Sequence, residues 1–238
     1  MILKKIISIK EEAPIGTFSS LKGLTQKKLE PTERNDAIDA EIAEIFKNSC
    51  KNYIDLHAEI LEDLNSESPD FQKIVDMCTK AIEDHPKNSL YFLLRRADAY
   101  SGLITSNEPT TLTKRRLLGY ALSDIDAALK HLSASGDILD SALAGIQKFE
   151  LLYKNDLFIF AKECVYRVYS SLSEFIQSSQ WNTCNFKEEI LKNRHLSMEN
   201  IALSHYMLGE NSFAIFMRNA LLEENPSYPL IEEIAELK

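Results

Sequence analysis

The side chains of this 238-residue sequence that are equipped for catalysis or metal binding are dispersed. His57, His85, His131, His195 and His205 lie far apart, and no two hold the i, i+4 spacing that converges imidazoles on a metal. Glu188–Glu189 and Glu223–Glu224 are sequence neighbours, so on a helix their carboxylates diverge and cannot share a proton. There is no glycine-rich phosphate loop, H-E-x-x-H or G-x-S-x-G. Cys50, Cys78, Cys164 and Cys184 include no C-x-x-C pair, and three of them fall in apolar helical stripes, where a thiol acts as a small hydrophobe. His57 and His205 sit on otherwise apolar helical faces, the setting of a hydrogen-bonded core or groove histidine. No catalytic residue, metal ligand or cofactor site is assigned, and no enzymatic activity is expected.

One constellation suits recognition. Tyr91, Arg95 and Asp98 fall at i, i+4 and i+7, so a helix carries them on one face. An aromatic beside a guanidinium is the kind of pair that anchors a peptide. The stripe of Leu93, Ala97 and Tyr100 points elsewhere, into the protein. A solvated face with an internal Arg95–Asp98 pair fits the same spacing.

Composition narrows the partners. An apolar fraction of 45% with 26% charged residues describes a folded soluble chain. The net charge of −9 argues against phosphate backbones and anionic membrane surfaces. The basic clusters Arg95–Arg96 and Lys114–Arg115–Arg116 are expected on solvated faces or at partner contacts. The start, MILKKIISIK, is too short in its apolar part for a signal peptide, and no run approaches the ~20 apolar residues that span a bilayer. A cytoplasmic location with reduced thiols is expected.

The elements that must position these residues are helices. Residues 1–34 lack a sustained period and form an irregular arm, either loosely packed or a docking segment; residues 35–238 form the helical domain. Periodicity of 3.6 begins near Asn35 and runs through Tyr53, Ile54, Ile60 and Leu64. Ser68 and Pro69 are placed to open the next helix, with its stripe at Phe71, Ile74, Val75, Cys78 and Ala81. Further helices are predicted over Ser89–Ser101, Thr113–Leu132, Ile138–Tyr153, Leu157–Ile176, Lys187–Gly209, Asn211–Glu224 and Leu230–Leu237. The segment Ile104–Thr111 is expected to be a surface insertion. Small residues, Ala81, Ala97, Ala99, Ala121 and Ala128, stand where two helices must approach closely.

These motifs resemble the tetratricopeptide repeat. AIEDHPKN resembles the end of a second helix, RRADAY the middle of a first, and ALSDIDAAL another second helix. HYMLGENSFAIF followed by NPSYP resembles a third instance, and LLYKNDLFIFAKECV a degenerate one. Equivalent points at Ala81, Ala128, Val168 and Leu221 lie 47, 40 and 53 residues apart, whereas the repeat recurs at about 34. The surplus falls on polar loops. The resemblance implies an all-α, TPR-like helical-hairpin solenoid of about nine helices with irregular loops. A non-repeating helical bundle satisfies the same periodicity. It also implies an adaptor or scaffold that holds a protein or peptide in a groove, with a fixed subunit working through its outer face as the alternative. Many relatives grip acidic chaperone tails with Lys, Asn and Arg on first helices. Here Arg95 replaces the Asn before Arg96, and LDSALAGIQKFELL lacks the Lys and Arg pair, so that grip is not expected.

Overall fold

A helix leaves its first N–H groups without partners, and short polar side chains at its start take them up. Asp70 accepts a hydrogen bond from the Lys73 N–H at 3.0 Å, Thr110 from Thr113 at 3.3 Å, and Asp137 from Asp140 at 3.1 Å. The computed structural model of the protein describes residues 53–86, 89–106 and 110–237. The expected arm at 1–34 and the helical run over 35–52, with Cys50, lie outside the described residues.

In chain order the elements are α1 (within 53–65), α2 (Phe71–Asp84), α3 (Leu90–Ser106), α4 (Thr111–Ser135) and α5 (Ile138–Tyr153). They continue with α6 (Phe158–Gln177), a 3₁₀ turn (Ser179–Thr183), α7 (Lys187–Met207), α8 (Asn211–Glu224) and α9 (Glu232–Ala235). Among the described residues there is no strand. The fold is all-α. Gly136 ends α4 at φ 73°, and Gly209 turns the chain after α7 at φ 75°, a backbone region that costs glycine nothing.

Each helix from α2 to α8 packs on the next, and α5 also touches α7. The apolar core is handed along the chain in steps. Ile60, Ile74, Cys78 and Phe92 join α1, α2 and α3; Leu93, Ala97, Ile125 and Ala144 join α3, α4 and α5. Ile146, Leu172 and Ile190 join α5, α6 and α7, and Val165, Ile201, Leu221 and Ile234 carry the core to the C-terminus. The alanines expected at close approaches, Ala81, Ala97, Ala99, Ala121 and Ala128, are all buried. A Cβ built on Gly145 would lie 2.4 Å from Val168 Cγ2, so α5 and α6 meet there at a distance that only glycine allows.

Several boundaries differ from the sequence expectation. Asp70, not Ser68, caps α2, so Pro69 precedes the helix. Ile54 is exposed although it keeps the period of its helix. Helix α3 runs five residues past Ser101, because Gly102 faces the ring of Phe71 and Ile104, only 8% exposed, packs into the seam between α3 and α4. Ile104 therefore belongs to the core and not to a surface insertion. Replacing Ile104–Thr111 with a Gly/Ser linker is expected to cost about 2 kcal/mol through loss of that side chain. A linker that keeps Ile104 and Thr110, the cap of α4, should cost little. Urea unfolding of the two chimeras separates these outcomes.

The C-terminal segment is tied down by a buried carboxylate. Glu199 on α7 accepts from the Tyr228 hydroxyl at 3.1 Å and from the Ile231 N–H at 2.8 Å, which brings Ile234 to complete burial. Helix α9 covers that end of the core, as expected, though it is shorter than Leu230–Leu237. Trp181 packs its ring edge-on to Phe175 at 6.4 Å, with Lys187 Nζ 5.4 Å from its centre.

Candidate functional site

Helix α3 does carry Tyr91, Arg95 and Asp98 on one side, and that side meets α5. The Tyr91 hydroxyl donates to Asp140 at 3.3 Å, and Gln147 donates to Asp98 at 2.7 Å and to the Leu94 carbonyl at 3.0 Å. Arg95 Nη1 donates to Asp98 at 2.9 Å. The side chains of Arg95 and Asp98 are 13% and 16% exposed, so the three residues form a polar seam between helices more than an open surface. Arg95 Nε is buried with no hydrogen-bond partner among the described residues. Burial, and then the charge of Asp140, raises the Tyr91 pKa. Arg95→Glu would set a second carboxylate beside half-buried Asp98, so it disturbs folding as well as any binding.

Arg96 is not solvated either. Its Nε and Nη2 donate to the two oxygens of Asp124 at 2.8 Å each, and Nη1 to Thr79 at 3.0 Å. One guanidinium thus bolts α2 and α4 to α3. Lys114, Arg115 and Arg116 are exposed, as expected.

The two histidines expected on apolar faces both meet aromatic rings. The His205 ring holds Tyr166 at 2.8 Å and Glu210, and stacks on Phe213 at 5.1 Å. Half-buried His57 sits among the rings of Tyr91 and Phe92. Burial pushes the Cys164 thiol up to about 11 and the Cys78 thiol up to about 12, which keeps both protonated and unreactive. Among the described residues no three His, Cys, Asp or Glu side chains gather as metal ligands, and no described helix is long and apolar enough to cross a membrane.

A second site was not anticipated from the sequence. Helices α4 and α6 stand apart over α5, leaving a groove of about 680 Å³. Its walls are Leu122, Asp126, Leu129, Lys130 and Ser133 on α4 and, beyond Leu157 at the start of α6, Phe160, Glu163, Arg167 and Ser171, over α5 residues that include Ala142 and Gly145. Phe160 is 59% exposed. On α5 the groove residues Ser141, Gly145 and Lys148 lie about a third of a turn from Asp140 and Gln147, so groove and seam use different faces. The one signal in the sequence was Phe160, an aromatic outside the apolar stripe of its helix.

Comparison with protein-family models, curated proteins and solved structures finds no match to this chain.

At the far end, Arg194 clamps Glu224 through Nη1 and through Nη2 at 3.0 Å, with its guanidinium 5.0 Å from the Tyr169 ring centre. That hydrogen bond, with the nearby charges of Arg194 and His195, holds the Glu224 carboxyl below the ordinary glutamate value. A depressed folded pKa stabilises above the unfolded pKa of about 4.3, and the contribution is lost as pH falls through the folded value. Glu224→Gln is therefore expected to lower stability at pH 7, and its gap from wild type to narrow as pH falls below about 4.3 and to close once pH is under the depressed folded value. Denaturant unfolding across pH 2–7 measures this.

Proposed function

We propose that this chain is a non-enzymatic scaffold, built of degenerate tetratricopeptide-type helical hairpins, that holds a protein partner. The observation that carries the reading is the hand-to-hand packing of the helices, which leaves an open groove on one side. Units that bury their faces only against neighbours form elongated surfaces suited to binding. The groove walls interleave apolar side chains, Leu122, Leu129 and Phe160 among them, with charged ones such as Lys130, Glu163 and Arg167, a mixture suited to a protein surface. The surface favoured is the side of α4 and α6, which supports the outer-face alternative over the Tyr91–Arg95–Asp98 seam. The test is affinity capture followed by reconstitution of the captured partner from purified components. A defined complex on size exclusion supports the reading; failure of every captured candidate to reconstitute overturns it.

A further inference from the structure

We propose that the groove between α4 and α6 receives an amphipathic α-helix of a protein partner, its apolar stripe on the α5 floor and acidic side chains directed at Lys130 and Arg167. This rests on the partner-binding reading and adds the surface and the form of the partner.

Length comes first. The groove runs along α5 from Ile138 to Leu152 and along α6 from its cap residue Leu157 to Ser171, each about 20 Å at 1.5 Å per residue. A guest helix of about four turns fills that span, whereas a metabolite would leave most of it open.

Polar links elsewhere along α6 give the contrast. Lys162 of α6 bonds Glu210, the residue before α8, at 2.9 Å, and Tyr166 of α6 bonds His205 of α7, which in turn holds Glu210. Between α4 and α6 no hydrogen bond or ion pair crosses among the described residues. The groove is left unbridged by polar contacts.

Charge then selects the guest. Lys130 on one wall and Arg167 on the other are exposed, and neither enters an ion pair among the described residues, in a chain of net charge −9. Lys148 at the floor is held by Asp126 at 2.6 Å. Glu163, one turn before Arg167, lines the same rim without pairing with it. A guest carrying Asp or Glu beside its apolar stripe meets a cation on each wall, while a basic helix meets two like charges.

The experiment displays helix-forming peptides of about 18 residues, with a fixed apolar i, i+3, i+4, i+7 stripe and randomised flanks, and selects them on the full-length protein. Selected peptides are expected to be rich in Asp and Glu and to bind more weakly as salt rises. Phe160→Ala, and separately Lys130→Glu with Arg167→Glu, should each weaken them at least ~10-fold. All three residues are exposed, so circular dichroism and melting temperature should stay at wild-type values. Selection without acidic enrichment, or peptides indifferent to both variants, overturns the proposal. So does stoichiometric displacement of the peptides by oleate, which would make the groove a small-ligand site. A partner that reconstitutes from purified components yet ignores these variants removes the groove assignment and leaves the scaffold reading standing.

Discussion

Arg96→Ala is expected to lower the melting temperature by about 10 °C, the largest loss for any single side chain in the polar framework. The change removes both hydrogen bonds to Asp124 and leaves that carboxylate, 6% exposed, without its charge partner. Breaking a buried pair by deleting one member costs about 3–5 kcal/mol. Because the guanidinium of Arg96 keeps some solvent contact, the lower end, about 3 kcal/mol, applies here. At about 2–4 °C per kcal/mol for a domain of this size, that gives the stated shift. The double replacement Arg96→Met with Asp124→Leu should recover most of the loss, since an apolar pair of similar volume carries no stranded charge. If Arg96→Ala melts within a degree or two of wild type, the bolt across α2, α3 and α4 contributes nothing to stability.

That bolt also marks where sequence reasoning stops. Arg95 and Arg96 look alike as adjacent cations, and a basic pair is ordinarily solvated. Only the fold places Asp124, 28 residues away, against one of them. Amphipathic runs were legible because one apolar stripe per helix leaves a 3.6 period: α2, α5, α6 and α8 appear close to their expected bounds. Helix α7 leaves no such stripe, because neighbours surround it and its buried polar residues find partners, some in the same helix and some, as for Glu199 and His205, in other segments. Ser197 and Ser204 donate to carbonyls one turn back, both at 2.8 Å, so polar positions sit inside without penalty. Helix α3 likewise buries a second side through Phe92 and Ala99, towards α1 and α2. The Tyr91, Arg95 and Asp98 spacing correctly put three residues on one side of α3, but periodicity within one helix says nothing of the helix that covers it. The groove was invisible for the same reason. It is a property of the distance between α4 and α6.

Ala128→Trp should destabilise the protein by about 3 kcal/mol or more, because an indole has no room where a methyl group is already 0% exposed. Ala128 lies in the cluster shared by α3, α4 and α5, between Ile125 and Leu132 on the same helix. Close packing there means that α4 must move away from its neighbours or α3 must shift, and either opens voids elsewhere in a core packed at crystal-like density. The fair comparison is Ala134→Trp, on the exposed last turn of the same helix, where the change is expected to stay within ~0.5 kcal/mol. The contrast tests the repeat-like register as well as the packing. The sequence motifs align Ala128 with Ala81, Val168 and Leu221 as an expectation, and all four positions are buried. If both Trp variants unfold at the same urea concentration as wild type, α4 does not approach its neighbours at Ala128, and the register joining these four positions fails with it.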